Sequence, residues 1–226
     1  MAKLSWAAAF LGLAVIVGCD NKPVEKIPTT PPLAAAEAHL VLKNLQYIAV
    51  RKDNKHISLI APVTPDVVYG QGWWFHQHAG KMGIALDEKE LVEFGLVDLL
   101  NKGYISTQPL KMMPNDPKLD NFPPADPKAP NYDPTYDISQ ARKVFNAGLY
   151  RLIKGVPVEM WADMVVMENK PDPTNTKLRQ LVFGYKGEPV MNVAALQKDD
   201  GKWAVIYIQF KAWPEQLVKM VKKAKD

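Results

Sequence analysis

The apolar residues follow a helical spacing in the first part of the chain. Residues 33–45 are rich in alanine and leucine and place these side chains near one face, which predicts an amphipathic helix. Residues 47–51 and 56–60 then form two apolar arms around the polar residues 52–55. This pattern fits either a β-hairpin or a helix, a turn and a second short helix, and we favour the helical interpretation.

The next helix is predicted to begin at Asp87. Asp87 is a good N-cap, and Glu90 three residues later completes the sequence pattern of a capping box. The following residues are apolar on nearly every side up to Gly103, so we expect one helix that is buried on most of its faces. Another helix is predicted over residues 139–154, where apolar residues recur along one side.

The last third of the chain changes to a two-residue period, which is typical of β-strands. This alternation predicts a half-buried strand over residues 158–166, with Met160 and Met164 filling the core. Tight turns with glycine then separate apolar runs, which predicts a meander. Its three further strands are predicted at residues 178–185, 190–196 and 203–210.

The chain ends with a predicted basic helix that Pro214 opens. We expect Leu217, Val218 and Val221 on its inward side. The outward side is predicted to carry Lys219, Lys222, Lys223 and Lys225. Helices followed by an antiparallel meander predict an α+β fold, with N-terminal helices packed on a C-terminal β-meander.

The order of these elements and the turn sequence Asp200-Gly201-Lys202-Trp203 resemble NTF2-like α+β domains. The resemblance implies a curved sheet that forms a cone around a pocket. We therefore expect an NTF2-like cone as the specific form of the α+β fold.

The first nineteen residues contain a short apolar run that ends in Ile16-Val17-Gly18-Cys19. The run has the length of a secretory h-region and is too short for an ordinary membrane span. The segment resembles the lipobox of bacterial lipoproteins, and Cys19 is the one cysteine of the chain. The resemblance implies diacylglycerol on the Cys19 thiol, cleavage before Cys19 and a location on the periplasmic side of a bacterial membrane. Asp20 resembles the enterobacterial signal for retention in the inner membrane.

These features divide the chain into three parts. Residues 1–18 are interpreted as a lipoprotein signal peptide, and residues 19–32 as the lipidated cysteine followed by a tether with four prolines. Residues 33–226 are expected to form a single α+β domain. We expect the lipid bilayer to be one partner of the protein, through the anchor.

A segment rich in proline and aspartate interrupts the domain at about residues 109–137. Its prolines exclude a regular helix, yet the aromatic residues Phe122, Tyr132 and Tyr136 are spaced along it. We interpret the segment as an arm whose aromatic rings fill pockets on its own domain or on a partner, and we favour the partner. Trp73 and Trp74 are further candidate partner-binding residues.

Residues 70–80 combine aromatic residues with His76 and His78. On a strand, two histidines two residues apart share a face, whereas on a helix His78 pairs with Met82. Imidazole and thioether groups together suit copper, so these three residues are the candidate metal ligands. The alternative is an aromatic anchor whose histidines are hydrogen-bonded or solvated, and we favour that alternative.

The sequence contains no motif typical of nucleophilic catalysis or phosphate binding, and its net charge of +4 is too small to indicate nucleic acid. We expect a non-catalytic accessory or assembly subunit of a cell-envelope complex, with an envelope protein as partner and no cofactor besides the lipid. Two alternatives stay open. One is a periplasmic copper-handling protein, and the other is an NTF2-like small-molecule binder or hydrolase.

Overall fold

The computed structural model describes residues 35–61, 86–105, 107, 124–212 and 214–223. Within these residues, helices precede a four-stranded antiparallel sheet, which confirms the α+β class. A 3₁₀ turn at Ala38–Leu40 leads into the first helix. The helices are α1 (Val41–Arg51), α2 (Ile57–Ile60), α3 (Glu88–Phe94), α4 (Val97–Asn101), α5 (Ile138–Lys154), α6 (Val158–Asp163) and α7 (Pro214–Lys223), and the strands are β1 (Met164–Pro171), β2 (Leu178–Tyr185), β3 (Glu188–Gln197) and β4 (Trp203–Phe210).

The ambiguous segment after residue 45 is helical, so the favoured interpretation of residues 47–60 is confirmed. α1 continues to Arg51 and ends because Lys52 adopts the left-handed conformation, with φ of 52°. The chain then turns into α2. Leu45 and Ile48 of α1 and Ile60 of α2 are fully buried, so both helices contribute to the core.

The predicted capping box is present at the start of α3. The Asp87 side chain accepts a hydrogen bond from the Glu90 N–H, and Glu90 Oε2 accepts one from the Asp87 N–H. The expectation of one buried helix up to Gly103 is wrong. Gly95, with φ of 67°, ends α3, and α4 begins separately at Val97. Val92 is 67% exposed, because only one side of this pair of helices packs on the core.

The helix predicted over residues 139–154 is confirmed as α5. Asp137 caps it by accepting hydrogen bonds from the N–H groups of Ser139 and Gln140. Phe145, Leu149 and Leu152 are buried along its inner side. α5 is the longest described helix, and α1, α2 and α3 pack against it.

The strand predicted over residues 158–166 is wrong in its first part, which forms α6. Pro157 occupies the N-cap position, where the missing N–H of proline loses no helical hydrogen bond. Alternation along a strand would put Trp161 on the polar side, but its side chain is fully buried, and its Nε1–H donates to the Ile153 carbonyl at 3.1 Å. Met160 and Met164 are buried as expected.

The sheet is a simple meander with strand order β1-β2-β3-β4, and the strands predicted at 178–185 and 203–210 are confirmed to the residue. The strand predicted at 190–196 is confirmed as part of β3. Strand β1 contains a bulge between Val166 and Glu168. A Cβ atom at Gly184 of β2 would lie 2.0 Å from the Met167 sulfur, so the bulged methionine covers the site of a missing side chain.

One cluster of buried apolar side chains contains members of every described helix and strand. The early and late parts of the chain are also joined by Gln46 of α1. Its side-chain amide donates to the carbonyl of Trp161 at 2.8 Å and to that of Met164 at 3.0 Å.

The last helix follows its sequence prediction with one exception. Leu217 and Val221 are buried, but Val218, expected inward, is 42% exposed because it lies on the flank of α7. No helix in the described ranges is long and apolar enough to cross a bilayer.

Candidate functional site

A cavity of about 480 Å³ lies between the C-terminal end of α1, the helix α3 and the last turn of α5. The charged groups of its lining are balanced, with three carboxylates and three ammonium groups, and its walls also include an amide, a phenol and several aliphatic side chains. The charged residues are Asp87, Glu90, Glu93, Lys52, Lys89 and Lys154.

Glu90 and Lys154 form an ion pair in the lining of this cavity. Lys154 Nζ donates to Glu90 Oε1 at 2.5 Å, although the two residues are 64 positions apart. Glu90 is 7% exposed, and its second oxygen is used by the capping box with Asp87. The Glu90 carboxylate therefore fixes the start of α3 and joins it to the end of α5.

A second polar contact joins α3 to the turn between α1 and α2. The buried Asn54 side chain donates from its amide nitrogen to Glu93 Oε2. Lys89 is exposed, and its Nζ lies 3.9 Å from Glu93 Oε1, one turn later in α3. Glu93 thus has partners on both oxygens, as Glu90 does.

Tyr150 of α5 lines the cavity beside these carboxylates. Burial raises the pKa of Tyr150 to about 12, and the negative charges of Glu90, Glu93, Asp53 and Asp87 act in the same direction. Lys154 Nζ lies 5.6 Å from the centre of the Tyr150 ring. The ring and the Glu90 carboxylate together form a site that holds an ammonium group, and Lys154 supplies that group from within the chain.

Arg151 is a buried cation on the same helix, and it is 2% exposed. Burial lowers the pKa of Arg151 to about 10, and the negative charge of Glu90 acts in the opposite direction. Glu90 therefore interacts with two cations of α5.

Asp53 and His56 form a carboxylate–imidazole pair next to the cavity. His56 Nδ1 lies 2.7 Å from Asp53 Oδ2, and the imidazole meets the Tyr47 ring edge to face at 6.0 Å between ring centres. A carboxylate that orients an imidazole in this way occurs in catalytic sites and in structural turns alike. Here Asp53 also accepts from the Lys55 N–H at 3.0 Å, so the pair belongs to the turn before α2.

The described end of the proline-rich segment is attached to its own domain. The Tyr104 hydroxyl donates to Asp133, and Lys102 Nζ donates to Thr135 at 2.6 Å. Tyr136 is 1% exposed, and its ring lies 5.1 Å from the Tyr104 ring. Residues 124–137 therefore agree with the alternative in which the arm fills pockets on its own domain, and Tyr136 is not accessible to a partner.

The other candidate site residues are either partly buried or outside the described part of the chain. Tyr132 is half-buried. The lipidation candidate Cys19 and the partner-binding candidates Phe122, Trp73 and Trp74 lie outside the described residues. The same holds for the candidate copper ligands His76, His78 and Met82.

No group of three or more histidine, cysteine, aspartate or glutamate side chains in the described part of the chain is arranged to hold a metal ion. The copper candidates His76, His78 and Met82 lie outside that part, so the copper alternative stays a prediction.

Sequence reasoning identified Asp87 and Glu90 as a helix cap but missed the cavity around them. The spacing of Asp87 and Glu90 is local and readable, whereas Lys154 and Asn54 approach Glu90 and Glu93 only through the fold. The turn Asp53-Asn54-Lys55-His56 was a usable signal, because it places an acid and an imidazole within one turn of chain.

Comparisons with protein-family models, with curated proteins and with solved structures find no match to this chain.

Proposed function

We propose that this protein is a lipid-anchored, non-catalytic accessory or assembly subunit of a bacterial envelope complex, held on the periplasmic side of the membrane. The observation that carries the proposal is the order Ile16-Val17-Gly18-Cys19 after a short apolar run. A thiol at this position is the acceptor of a diacylglyceryl group in bacterial lipoproteins. Asp20 favours the inner membrane as the location.

The chemistry of the cavity supports the non-catalytic part of the proposal. Both Glu90 oxygens accept hydrogen bonds, and Glu93 accepts one from Asn54. The bonds to Lys154 and Asn54 join α3 to α5 and to the turn before α2. A general acid or base works best with a pKa near the working pH, whereas the pKa of Tyr150 is raised to about 12. These contacts support a role of Glu90 and Glu93 in stabilising the fold.

The anchor is tested by replacing Cys19 with serine in the full chain. We expect wild-type protein in the membrane fraction, with a mature mass that begins at Cys19 and includes the lipid. The Cys19→Ser chain should keep residues 1–18 or be released, and the matched control Asn21→Ala should behave as wild type. A membrane-bound mature wild type with an unmodified Cys19 thiol contradicts the proposal.

The accessory role is tested by copurification from gently solubilised membranes. We expect an envelope protein to copurify with the wild type and to be lost when Trp73, Trp74 and Phe122 are replaced by alanine, with little change in melting temperature. A fall of the melting temperature by several degrees with the partner retained contradicts the assignment of these three rings to the partner.

A second candidate function, binding of a small zwitterionic molecule, is favoured by the cavity itself. Its volume suits a small molecule, and its lining offers charges of both signs beside an aromatic ring. A panel of amino acids and short peptides should then raise the melting temperature of the mature protein, and Tyr150→Leu, which removes the ring, should reduce the effect. An unchanged melting temperature across the panel removes this candidate.

A further inference from the structure

The outward side of α7 carries a patch of lysines with one exposed apolar residue at its edge. Leu217 and Val221 are buried. Because the helix has 3.6 residues per turn, Lys222, five positions after Leu217, and Lys219, two positions before Val221, lie on its opposite side. We call this patch the α7 lysine face. It consists of Val218, Lys219, Lys222 and Lys223, all of which are exposed.

The charged side chains of this face are all positive. α7 has three lysines and one glutamate, Glu215, in its sequence. The helix packs against α6, where Glu159 and Asp163 are exposed. Because α7 buries Leu217 and Val221 on its inner side, the lysines of the α7 lysine face point away from the surface that it shares with the rest of the domain.

Given the proposed anchor, the length of the tether puts α7 within reach of the bilayer. The described domain begins at Ala35, whose carbonyl accepts from the Trp203 N–H at 2.8 Å at the start of β4. α7 follows the other end of β4, and a strand of eight residues spans about 25 Å. The proline-rich residues 20–32 reach about 40 Å when extended. A tether of that reach permits the α7 end of the sheet to touch the surface that holds the lipid.

We propose that the α7 lysine face docks on the anionic lipid headgroups of the membrane that anchors the protein, with Val218 at the level of the headgroups. This inference rests on the lipid anchor proposed above and adds an orientation to it. Lysines near an anionic leaflet each add about a fivefold preference for the surface, and an exposed apolar side chain among them adds contact with the interface. Docking through α7 fixes which side of the domain faces away from the membrane.

The test uses the mature lipidated protein with Val218→Cys, labelled with an environment-sensitive fluorophore. Cys19 is the only natural cysteine, so its acylation leaves the new thiol as the single labelling site. The protein is reconstituted in vesicles of phosphatidylcholine alone and of equal parts phosphatidylcholine and phosphatidylglycerol. We expect a blue shift of the emission only with the anionic lipid, and its loss in high salt.

Two variants complete the test. Val92→Cys is the matched control, because Val92 is also an exposed helical valine but lies on α3, and its label should not respond. Replacing Lys219, Lys222 and Lys223 by glutamine in the Val218→Cys protein should abolish the shift. Equal responses from both labels, or equal responses to both lipids, overturn the proposal. A shift seen only in native membranes also overturns it and indicates a protein partner instead.

The same experiment separates failure of this inference from failure of the anchor. If Cys19 is not acylated, the Val218→Cys protein takes up two labels in place of one, and the proposed anchor is then wrong whatever the emission does. A single label without a blue shift leaves the anchor standing and overturns the docking of α7.

Discussion

The sheet and the contact between α3 and α5 are stabilised by different physical interactions. Phe183, Val193 and Ile208, on three neighbouring strands, are fully buried apolar residues whose contribution depends on burial and on backbone pairing. Helix α3 is joined to α5 at the cavity by the pair of Glu90 and Lys154. The stability of the sheet should therefore fall when side-chain volume is lost, whereas the α3–α5 contact should weaken when charge is lost.

The largest expected effect is on the apolar side of this comparison. Phe183→Ala removes a fully buried ring in the middle of β2, and we expect the free energy of unfolding to fall by about 3–5 kcal/mol. Chemical denaturation measures this value. Val165→Ala, at an exposed position of β1, is the control and should change stability by less than about 1 kcal/mol. Similar losses for both variants contradict the picture of a packed sheet core.

The second-largest expected effect is the loss of a buried aromatic ring from the loop before α5. Tyr136→Ala should lower the free energy of unfolding by about 3 kcal/mol, because the ring is buried against Tyr104. Tyr132→Ala, at a half-buried position of the same loop, should cost about 1 kcal/mol. If Tyr136→Ala leaves the melting temperature unchanged, the loop does not stabilise the domain, and its aromatic residues are again candidates for partner binding.

The polar side is tested by Glu90→Gln, which keeps the shape and the capping hydrogen bond but removes the charge opposite Lys154. We expect a loss of about 2 kcal/mol, since hydrogen bonds to charged groups contribute roughly that amount. Glu88→Gln removes an exposed charge from the same helical turn and should cost less than about 1 kcal/mol. Equal effects of the two variants indicate that the pair with Lys154 contributes nothing.

The smallest effect concerns the pH dependence of the contact between Asp133 and Tyr104. The hydrogen bond from the Thr135 hydroxyl, followed by that from Tyr104, lowers the pKa of Asp133 to about 2. Because the folded pKa lies below the ordinary value, the ionised carboxylate stabilises the folded state above about pH 4, and this contribution disappears as the pH falls towards 2. The difference in melting temperature between wild type and Asp133→Asn should shrink over that range. A difference that stays constant from pH 5 to pH 2 contradicts this assignment.

The sheet was predictable because its signals are local. Gly187 and Gly201 both have positive φ in the turns beside β3, and the alternation between these turns fixes β2, β3 and β4 from the sequence. The NTF2-like form of the fold stays a prediction. It depends on the curvature of the sheet and on a closed pocket, which a turn sequence does not determine.

The error at α6 shows where alternation fails. Met160 and Met164 are four positions apart, and this spacing fits one face of a strand and one turn of a helix equally well. Trp161 decides between them, because it is buried next to Met160, which a strand with one solvated face does not allow. The cavity was not predictable for another reason. The contact between Glu90 and Lys154 joins residues 64 positions apart, and no local sequence pattern indicates such a pairing.

The two hydrogen bonds of Gln46 bear on the order in which the chain acquires its structure. They join α1 to Trp161 and Met164, which lie 115 and 118 positions later. During synthesis, the Gln46 side chain therefore has neither acceptor until more than two-thirds of the polypeptide has been made. The meander, whose pairings are all between consecutive strands, forms quickly once it appears. A chain truncated before β4 also lacks the strand that pairs with β3 and with Ala35, and we expect it to show no cooperative melting.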